Sequence, residues 1–278
     1  AIPILSDVNE STGLIEEKNI IEILNNIPPG TKIKAIIVVH LNGNIVDVSK
    51  IKKLFKKIRI IEDSCHAIGS FKRVGKKIIR IGSCYNSDLA TFSFHPVKTI
   101  TTGEGGMVTT NEKSVFEKLK LLRSHHIESL PINDKNYPYR INNLGYNYRL
   151  SDINCALGIS QLKKLKKFKE HRKQLVKFYN EKFSQFENHI TPVSKSQHDI
   201  CWHLYVILVN YKHLKVNRSQ LMNSLKLSGI GTQIHYKPLH RNLHLIKQLK
   251  EYYYSGFSGA MKYYNGILTL PLHYNMDL

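Results

Sequence analysis

A lysine, Lys98, stands at the exit of a short apolar run, Leu89 to Phe94, between Pro96 and a turn that holds Gly103, Gly105 and Gly106. The setting suits a solvated surface charge poorly. It suits an amine that reaches into a cleft and forms an imine with an aldehyde. Ser93 lies just upstream, and Asp63 and His66 follow an earlier apolar run. A carboxylate opposite a pyridine nitrogen keeps that nitrogen protonated, so the ring draws electrons. A hydroxyl near the amine can bind a phosphate oxygen. Together these are the needs of pyridoxal 5′-phosphate (PLP), with Lys98 as the Schiff-base amine. Each residue alone carries little: a strand-end aspartate is more often a cap, a serine is more often structural, and a histidine is more often packed than catalytic. The reading rests on their combination and on their order along the chain.

The elements that must position these residues follow an α/β pattern. Ile2 to Asp7 reads as a short strand, and Glu16 to Asn26 as a helix stopped by Pro28 and Pro29. Lys34 to His40 (KAIIVVH) is a continuous apolar run of the kind found in buried parallel strands. Val48 to Lys57 predicts an amphipathic helix with Ile51, Leu54 and Phe55 on one face, and Ile58 to Glu62 the next strand. This is a βαβ unit, and it delivers Asp63 to the carboxyl end of its second strand, where open α/β sheets bind ligands. Leu89 to Phe94 and Met107 to Thr110 are further strands, and Asn111 to Ser124 is a helix carrying Val115, Phe116, Leu119 and Leu122. Glu128 to Asn143, with Pro131 and Pro138, reads as a loop. A long helix runs from Ser151, its N-cap, to about Gln185. Ile153, Leu157, Leu162, Leu165 and Phe168 form the apolar face of its first part, and a lysine-rich second part faces solvent. A composition change over Phe186 to Asp199 marks a boundary, with residues 1–185 a large cofactor-binding domain and 186–278 a smaller α/β domain. The latter carries a strand at Trp202 to Val209, a helix at Ser219 to Leu227 closed by Gly229, a strand at Thr232 to Tyr236, a helix around Gly259 to Tyr264 and a strand at Ile267 to Leu270.

The chain has 278 residues, 42% hydrophobic and 22% charged, which is ordinary soluble composition. No apolar run approaches the roughly 20 residues of a membrane span, and AIPILSDVNE lacks the basic and apolar regions of a signal peptide. Cys65, Cys84, Cys155 and Cys201 are scattered without metal-ligand spacing and read as reduced, buried thiols of a cytoplasmic protein. The net charge of +20 admits nucleic-acid or anionic-membrane binding, or attraction of an anionic substrate. The basic residues are spread along the chain, Lys, Ile, Asn and Tyr are all abundant as in an AT-rich genome, and no nucleic-acid-binding module is visible. Neither nucleic acid nor a membrane is therefore an expected partner.

The segments IEDSCHAIGS, TFSFHPVKTITTGEGGMVTT and LGYNYRLSDINCALGISQL resemble the DegT/DnrJ/EryC1 family of sugar aminotransferases, over nearly the whole chain. The resemblance implies the PLP-dependent transferase fold type I: a mostly parallel sheet in the large domain and a smaller C-terminal α/β domain. It makes Lys98 the catalytic, cofactor-bonded lysine and proton shuttle, pairs Asp63 with the pyridinium nitrogen, sets His66 against the ring near its phenolic oxygen and brings Ser93 to the phosphate. It implies a homodimer with shared active sites, in which Asn147 reaches the neighbouring subunit's cofactor phosphate and Arg149 the substrate diphosphate. His235, Tyr236 and His240 match a segment lining the sugar site, although ordinary strand and turn residues would read nearly the same. CWHLYVILV, SGIGTQIHYKPLH and LTLPLHYNM narrow the resemblance to the branch serving pseudaminic acid biosynthesis. The implied reaction is amination of C4 of a UDP-linked 4-keto-6-deoxy-N-acetylhexosamine with glutamate as donor, or of a different nucleotide-linked keto sugar. Family members also carry a preceding segment with a glycine/threonine phosphate turn and a ring-stacking aromatic, and a final helix after LPLHYNM. The chain therefore reads as truncated at its N-terminus and slightly at its C-terminus, and a non-catalytic fragment is the rival reading. A sugar dehydratase of the same fold would carry histidine where Lys98 stands.

Overall fold

The runs around Ile36 and Ile60 become neighbouring parallel strands, as their βαβ spacing predicts. A computed structural model describes residues 2–129, 139–242, 244, 247 and 256–277. In chain order it holds α1 (Glu17–Asn26), β1 (Ala35–Val39), α2 (Val48–Leu54), β2 (Arg59–Asp63), β3 (Phe71–Val74), β4 (Lys77–Arg80), β5 (Leu89–Ser93) and β6 (Gly106–Thr109). Then follow α3 (Lys113–Arg123), β7 (Ile127–Ser129), β8 (Tyr139–Ile141), α4 (Asp152–Phe183), β9 (Ile190–Pro192), β10 (Tyr205–Val209), α5 (Arg218–Leu227), α6 (Ser258–Gly266) and β11 (Ile267–Leu270).

One sheet has the order β1-β2-β5-β6. Its first three strands are parallel, with Val39 opposite Asp63 and Asp63 opposite Thr91, and β6 runs antiparallel to β5. Ile36, Val38 and Ile60 point to one face and pack with Ile20 of α1 and Ile51 of α2. The KAIIVVH run predicts burial on both faces, but β1 alternates: Ile37 is 61% and Val39 41% exposed. In α2, Ile51 alone of the expected face is buried, and Leu54 is exposed.

A second, antiparallel sheet has the order β11-β10-β9. Its core of Ile200, Trp202, Tyr205, Ile207, Val209 and Leu268 packs against Leu175 and Val176 of α4. This inverts the expectation for α4. Ser151 does cap the helix, its hydroxyl accepting from the Asn154 amide. Its apolar first part is open, however, with Ile153 84% and Leu162 54% exposed, and the lysine-rich second part is the buried one. The cause lies in two long cations with buried stems whose heads find carbonyls. Lys169 Nζ donates to Gly69 O at 2.9 Å and pairs with Asp199 at 2.9 Å, and Arg172 Nη1 donates to His203 O at 3.2 Å and Leu272 O at 2.8 Å.

Other expectations also change. Ile2 to Asp7 is not a strand; Asp7 accepts hydrogen bonds from Gly259 and Ala260 N–H, both at 2.8 Å, and so caps α6. β3 and β4 form a hairpin that no sequence period announces. The Glu128 to Asn143 stretch is not all loop, since β7 pairs with β8; Pro131 and Pro138 lie outside the described residues. α3 forms as expected but buries none of its residues. β10 starts at Tyr205 rather than Trp202, because the backbone of 202–204 bonds to Asn42 O and the Arg172 guanidinium instead of to a strand. Thr232 to Tyr236 forms only one bridge, Gln233 with Thr269. Gly229 closes α5 at φ +79°, as predicted.

Candidate active site

The carboxyl ends of β2 and β5 build the site. Side chains alternate along β2, so Ile60 and Glu62 point to the buried face and Asp63 does not. Glu62 accepts from His40 Nε2 at 2.8 Å, and His40 Nδ1 accepts from Val46 N–H at 3.1 Å. This pair anchors the ends of β1 and β2 beneath the site. Beyond β2 the Cys65 N–H turns back onto the Asp63 carboxylate at 3.1 Å, and Ala67 N–H bonds Ser64 O. The tight turn carries His66 inward, where it is only 8% exposed.

The Lys98 loop is held by its own polar groups. Phe94 exchanges backbone bonds with Gly105 and Thr102, Thr101 Oγ1 donates to Phe94 O at 2.9 Å, and Lys98 N–H donates to His95 O at 2.9 Å. The Asn154 amide of α4 donates to Thr102 O. A Cβ on Gly105 would lie 2.4 Å from Thr102 Oγ1, and one on Gly106 would lie 2.7 Å from Phe92 O, so this return path needs two residues without side chains.

Around His66 several groups converge. His66 Nδ1 accepts from the Asn42 backbone N–H at 3.3 Å, and Nε2 lies 3.4 Å from Tyr236 Oη. The His203 ring packs on His66 with centroids 4.4 Å apart. Burial, then the Lys98 ammonium, push the His66 imidazole down to about 4, against the opposing pull of Asp63. Burial first, and then His66 and Lys98, push His203 down to about 2. His235 is lowered by burial and by Lys98, and its Nδ1 meets Thr269 Oγ1 at 2.9 Å. Burial and Asp63 raise the Tyr236 phenol and push the Cys65 thiol to about 11. One ammonium and one carboxylate thus act on a shared ring of neutral imidazoles and a neutral phenol.

Of the residues singled out from sequence, Asp63, His66, Lys98, His235 and Tyr236 come together. Ser93 ends β5 beside the lysine loop, its Oγ accepting locally from His95 N–H at 3.4 Å. His240 is apart, stacked on Phe257 with centroids 4.4 Å apart and lowered by burial against the pull of Asp7. Asn147 and Arg149 are exposed; Asn147 bridges Ser124, and the rings of its chain neighbours Tyr146 and Tyr148 stack on each other. Sequence reasoning missed Asn42, His203 and Arg172. Asn42 had a signal in the Asn42-Gly43 turn, since asparagine tolerates its φ of +62°. His203 interrupts an otherwise apolar run and had only that oddity.

Over residues 1–278 the chain matches the DegT/DnrJ/EryC1/StrS aminotransferase family. It is 40% identical over 271 residues to a UDP-4-amino-4,6-dideoxy-N-acetyl-beta-L-altrosamine transaminase of Campylobacter jejuni, an alignment covering 97% of this chain and 68% of that protein. Among solved structures it resembles Helicobacter pylori PseC, an aminotransferase involved in the biosynthesis of pseudoaminic acid, with a TM-score of 0.85 and 31% identity over 99% of this chain and 70% of that one. It also resembles the PLP form of a putative sugar aminotransferase, Spr1654, from Streptococcus pneumoniae. There the TM-score is 0.81 and the identity 25%, over 100% of this chain and 71% of that one.

Proposed function

The chain belongs to the DegT/DnrJ/EryC1/StrS aminotransferase family, whose members use PLP on a fold type I scaffold, and from that premise we propose that it aminates a nucleotide-linked keto sugar. The specific reading is transfer from glutamate to C4 of a UDP-linked 4-keto-6-deoxy-N-acetylhexosamine, in pseudaminic acid biosynthesis. The names of the Campylobacter and Helicobacter relatives support that choice of sugar.

The observation that carries the reading is the placing of Lys98 against a buried, neutral His66 beside Asp63 at the carboxyl ends of parallel strands. The donor set fits PLP. An amine, a carboxylate and a neutral imidazole converge, and the buried Ser64 Oγ and His203 Nδ1 have no partner among the described residues. Lys98 would bond the cofactor, Asp63 would face its ring nitrogen, His66 its phenolic oxygen, and Ser93 its phosphate. Asn147 of one subunit would complete the phosphate site of the other in a homodimer. When bound, PLP supplies the electron sink and the carbonyl carbon that carries the amino group.

The protein's own part follows from the side chains. Lys98 Nζ holds a proton and can return it to a neighbouring carbon, since its four-carbon stem lets one amine serve two atoms. The Asp63 carboxylate opposes the Lys98 charge at His66. His66 presents a neutral N–H, so it donates a hydrogen bond without adding a second positive charge beside Lys98. His235 and Tyr236 supply a sugar-facing edge of the same pocket, and exposed Arg149 and half-buried His240 are assigned to the diphosphate and the sugar.

The test has two parts. Incubation of the 278-residue chain with PLP and borohydride should yield a single stoichiometric adduct on Lys98 by peptide mass spectrometry. Glutamate and the UDP-linked 4-keto sugar should then give ping-pong kinetics that Lys98→Ala reduces by at least about a thousandfold, the scale of losing a catalytic nucleophile and base together. A Lys98→Ala protein that still transaminates sinks the assignment.

A further inference from the structure

We propose that His203 is a positioning residue for His66: its packed ring and the Asn42 amide together hold the His66 imidazole as the tautomer that carries its proton on Nε2. The proposal rests on reading the Lys98 cluster as the active site. It concerns two groups, Asn42 and His203, that lie outside the Lys98 segment.

His203 is itself fixed on both sides. Its backbone N–H donates to Asn42 O at 3.1 Å, and its carbonyl accepts from Arg172 Nη1 at 3.2 Å. Arg172 is buried on α4 and also reaches Leu272 O, so it cannot move without giving up several charge-assisted bonds. The His203 ring, 5% exposed, lies 4.4 Å from the His66 centroid at 44°, a distance of direct packing. Its Nδ1 has no hydrogen-bond partner among the described residues. The contact with His66 is therefore one of shape rather than of polar pairing.

Asn42 supplies the second constraint. It is fully buried at φ +62°, and its Nδ2 donates to Tyr263 Oη at 3.0 Å, which pins the turn. Its backbone N–H points at His66 Nδ1, 3.3 Å away. A proton on Nδ1 would face that N–H directly and lose its acceptor, so the neutral ring must carry its proton on Nε2. Nε2–H then faces Tyr236 Oη at 3.4 Å, and the Tyr236 hydroxyl has its own proton to offer to an oxygen of the substrate. The groups facing His66 are Asp63 from its own turn, Lys98 from the loop after β5, His203 from the segment before β10, and His235 and Tyr236 from the segment bridged to β11.

Histidine ring ¹⁵N NMR on the full chain reads this without cofactor or substrate, with His66→Gln assigning the His66 signals. Wild type should show His66 with a protonated Nε2 and a bare Nδ1 from pH 8 down to 5.5. His203→Ala should give exchange between tautomers and raise the His66 titration by about one pH unit or more toward the ordinary ~6.5. His203→Phe restores a packed ring and should return both readings to wild type. In the cofactor-loaded enzyme, His203→Ala should lower kcat about tenfold and shift the acid limb of the pH profile upward, with KM for glutamate little changed. A wild-type His66 protonated on Nδ1, a His203→Ala spectrum identical to wild type, or a His203→Phe chain in which His66 changes tautomer each overturns the proposal. The first and last readings stand even if His203→Ala does not fold. Failure of the active-site reading shows separately, as Lys98→Ala activity, and leaves the imidazole spectra unaffected.

Discussion

His66 reports on the site through proton linkage. Its folded value near 4 lies below the ordinary ~6.5, so between those two pH values the unfolded chain binds more protons than the native one. Stability is therefore fully present above about pH 6.5 and falls as the pH drops toward 4, by up to about 3 kcal/mol from this residue. Urea midpoints at pH 7.5 and 4.5 should differ less for His66→Gln than for wild type, and equal losses in the two chains would contradict the assignment. At this scale the sequence was legible where chemistry is local: Lys98 follows its strand and precedes its glycines, and Asp63 and His66 sit three residues apart on one turn. It was mute about His203 and Arg172. Their meaning comes from contacts far apart in the chain, as in the bond from Arg172 to Leu272 O, 100 residues on, and a single sequence carries no mark of such a partner. His240 read like His235 because both belong to one short segment, yet only His235 turns toward the cluster.

Among the elements, α6 shows how a distant residue can supply a cap. Its N-cap position, Phe257, offers no side-chain acceptor, and the Asp7 carboxylate supplies one from the other end of the chain. Asp7→Ala should cost about 1–2 kcal/mol, the usual size of a lost helix cap, as a lower urea midpoint with an unchanged slope. Gly259 permits the approach, since a Cβ there would fall 2.0 Å from Val8 O. Most strands and helices were readable from periodicity to within a few residues, because hydrophobic spacing and caps such as Ser151 and Gly229 act locally. The sides they bury were less readable. An apolar run tells that a face can be covered, and only the assembled chain decides which stretch of α4 finds a neighbour. Ile2 to Asp7 failed as a strand for the same reason: its aspartate was claimed by a helix, and no strand among the described residues pairs with it.

Across the whole molecule, α4 is one of the elements that join the β1-β2-β5-β6 side to the β11-β10-β9 side. Among the described residues no helix is long and apolar enough to cross a membrane. The charge of +20 is carried mostly on surfaces, but Lys169 and Arg172 are spent inside. The class of fold and the family were legible in three sequence segments. Lys169 and Arg172 sit one helical turn apart. The first grips Gly69 O at the end of the His66 turn, and the second grips His203 O in the other sheet's approach. The floor of the site and its packing wall therefore cannot loosen separately. In hydrogen–deuterium exchange, the amides of Ala67, Ser70, Cys201 and His203 should open as one cooperative unit with closely similar opening free energies, and Arg172→Met should release them together.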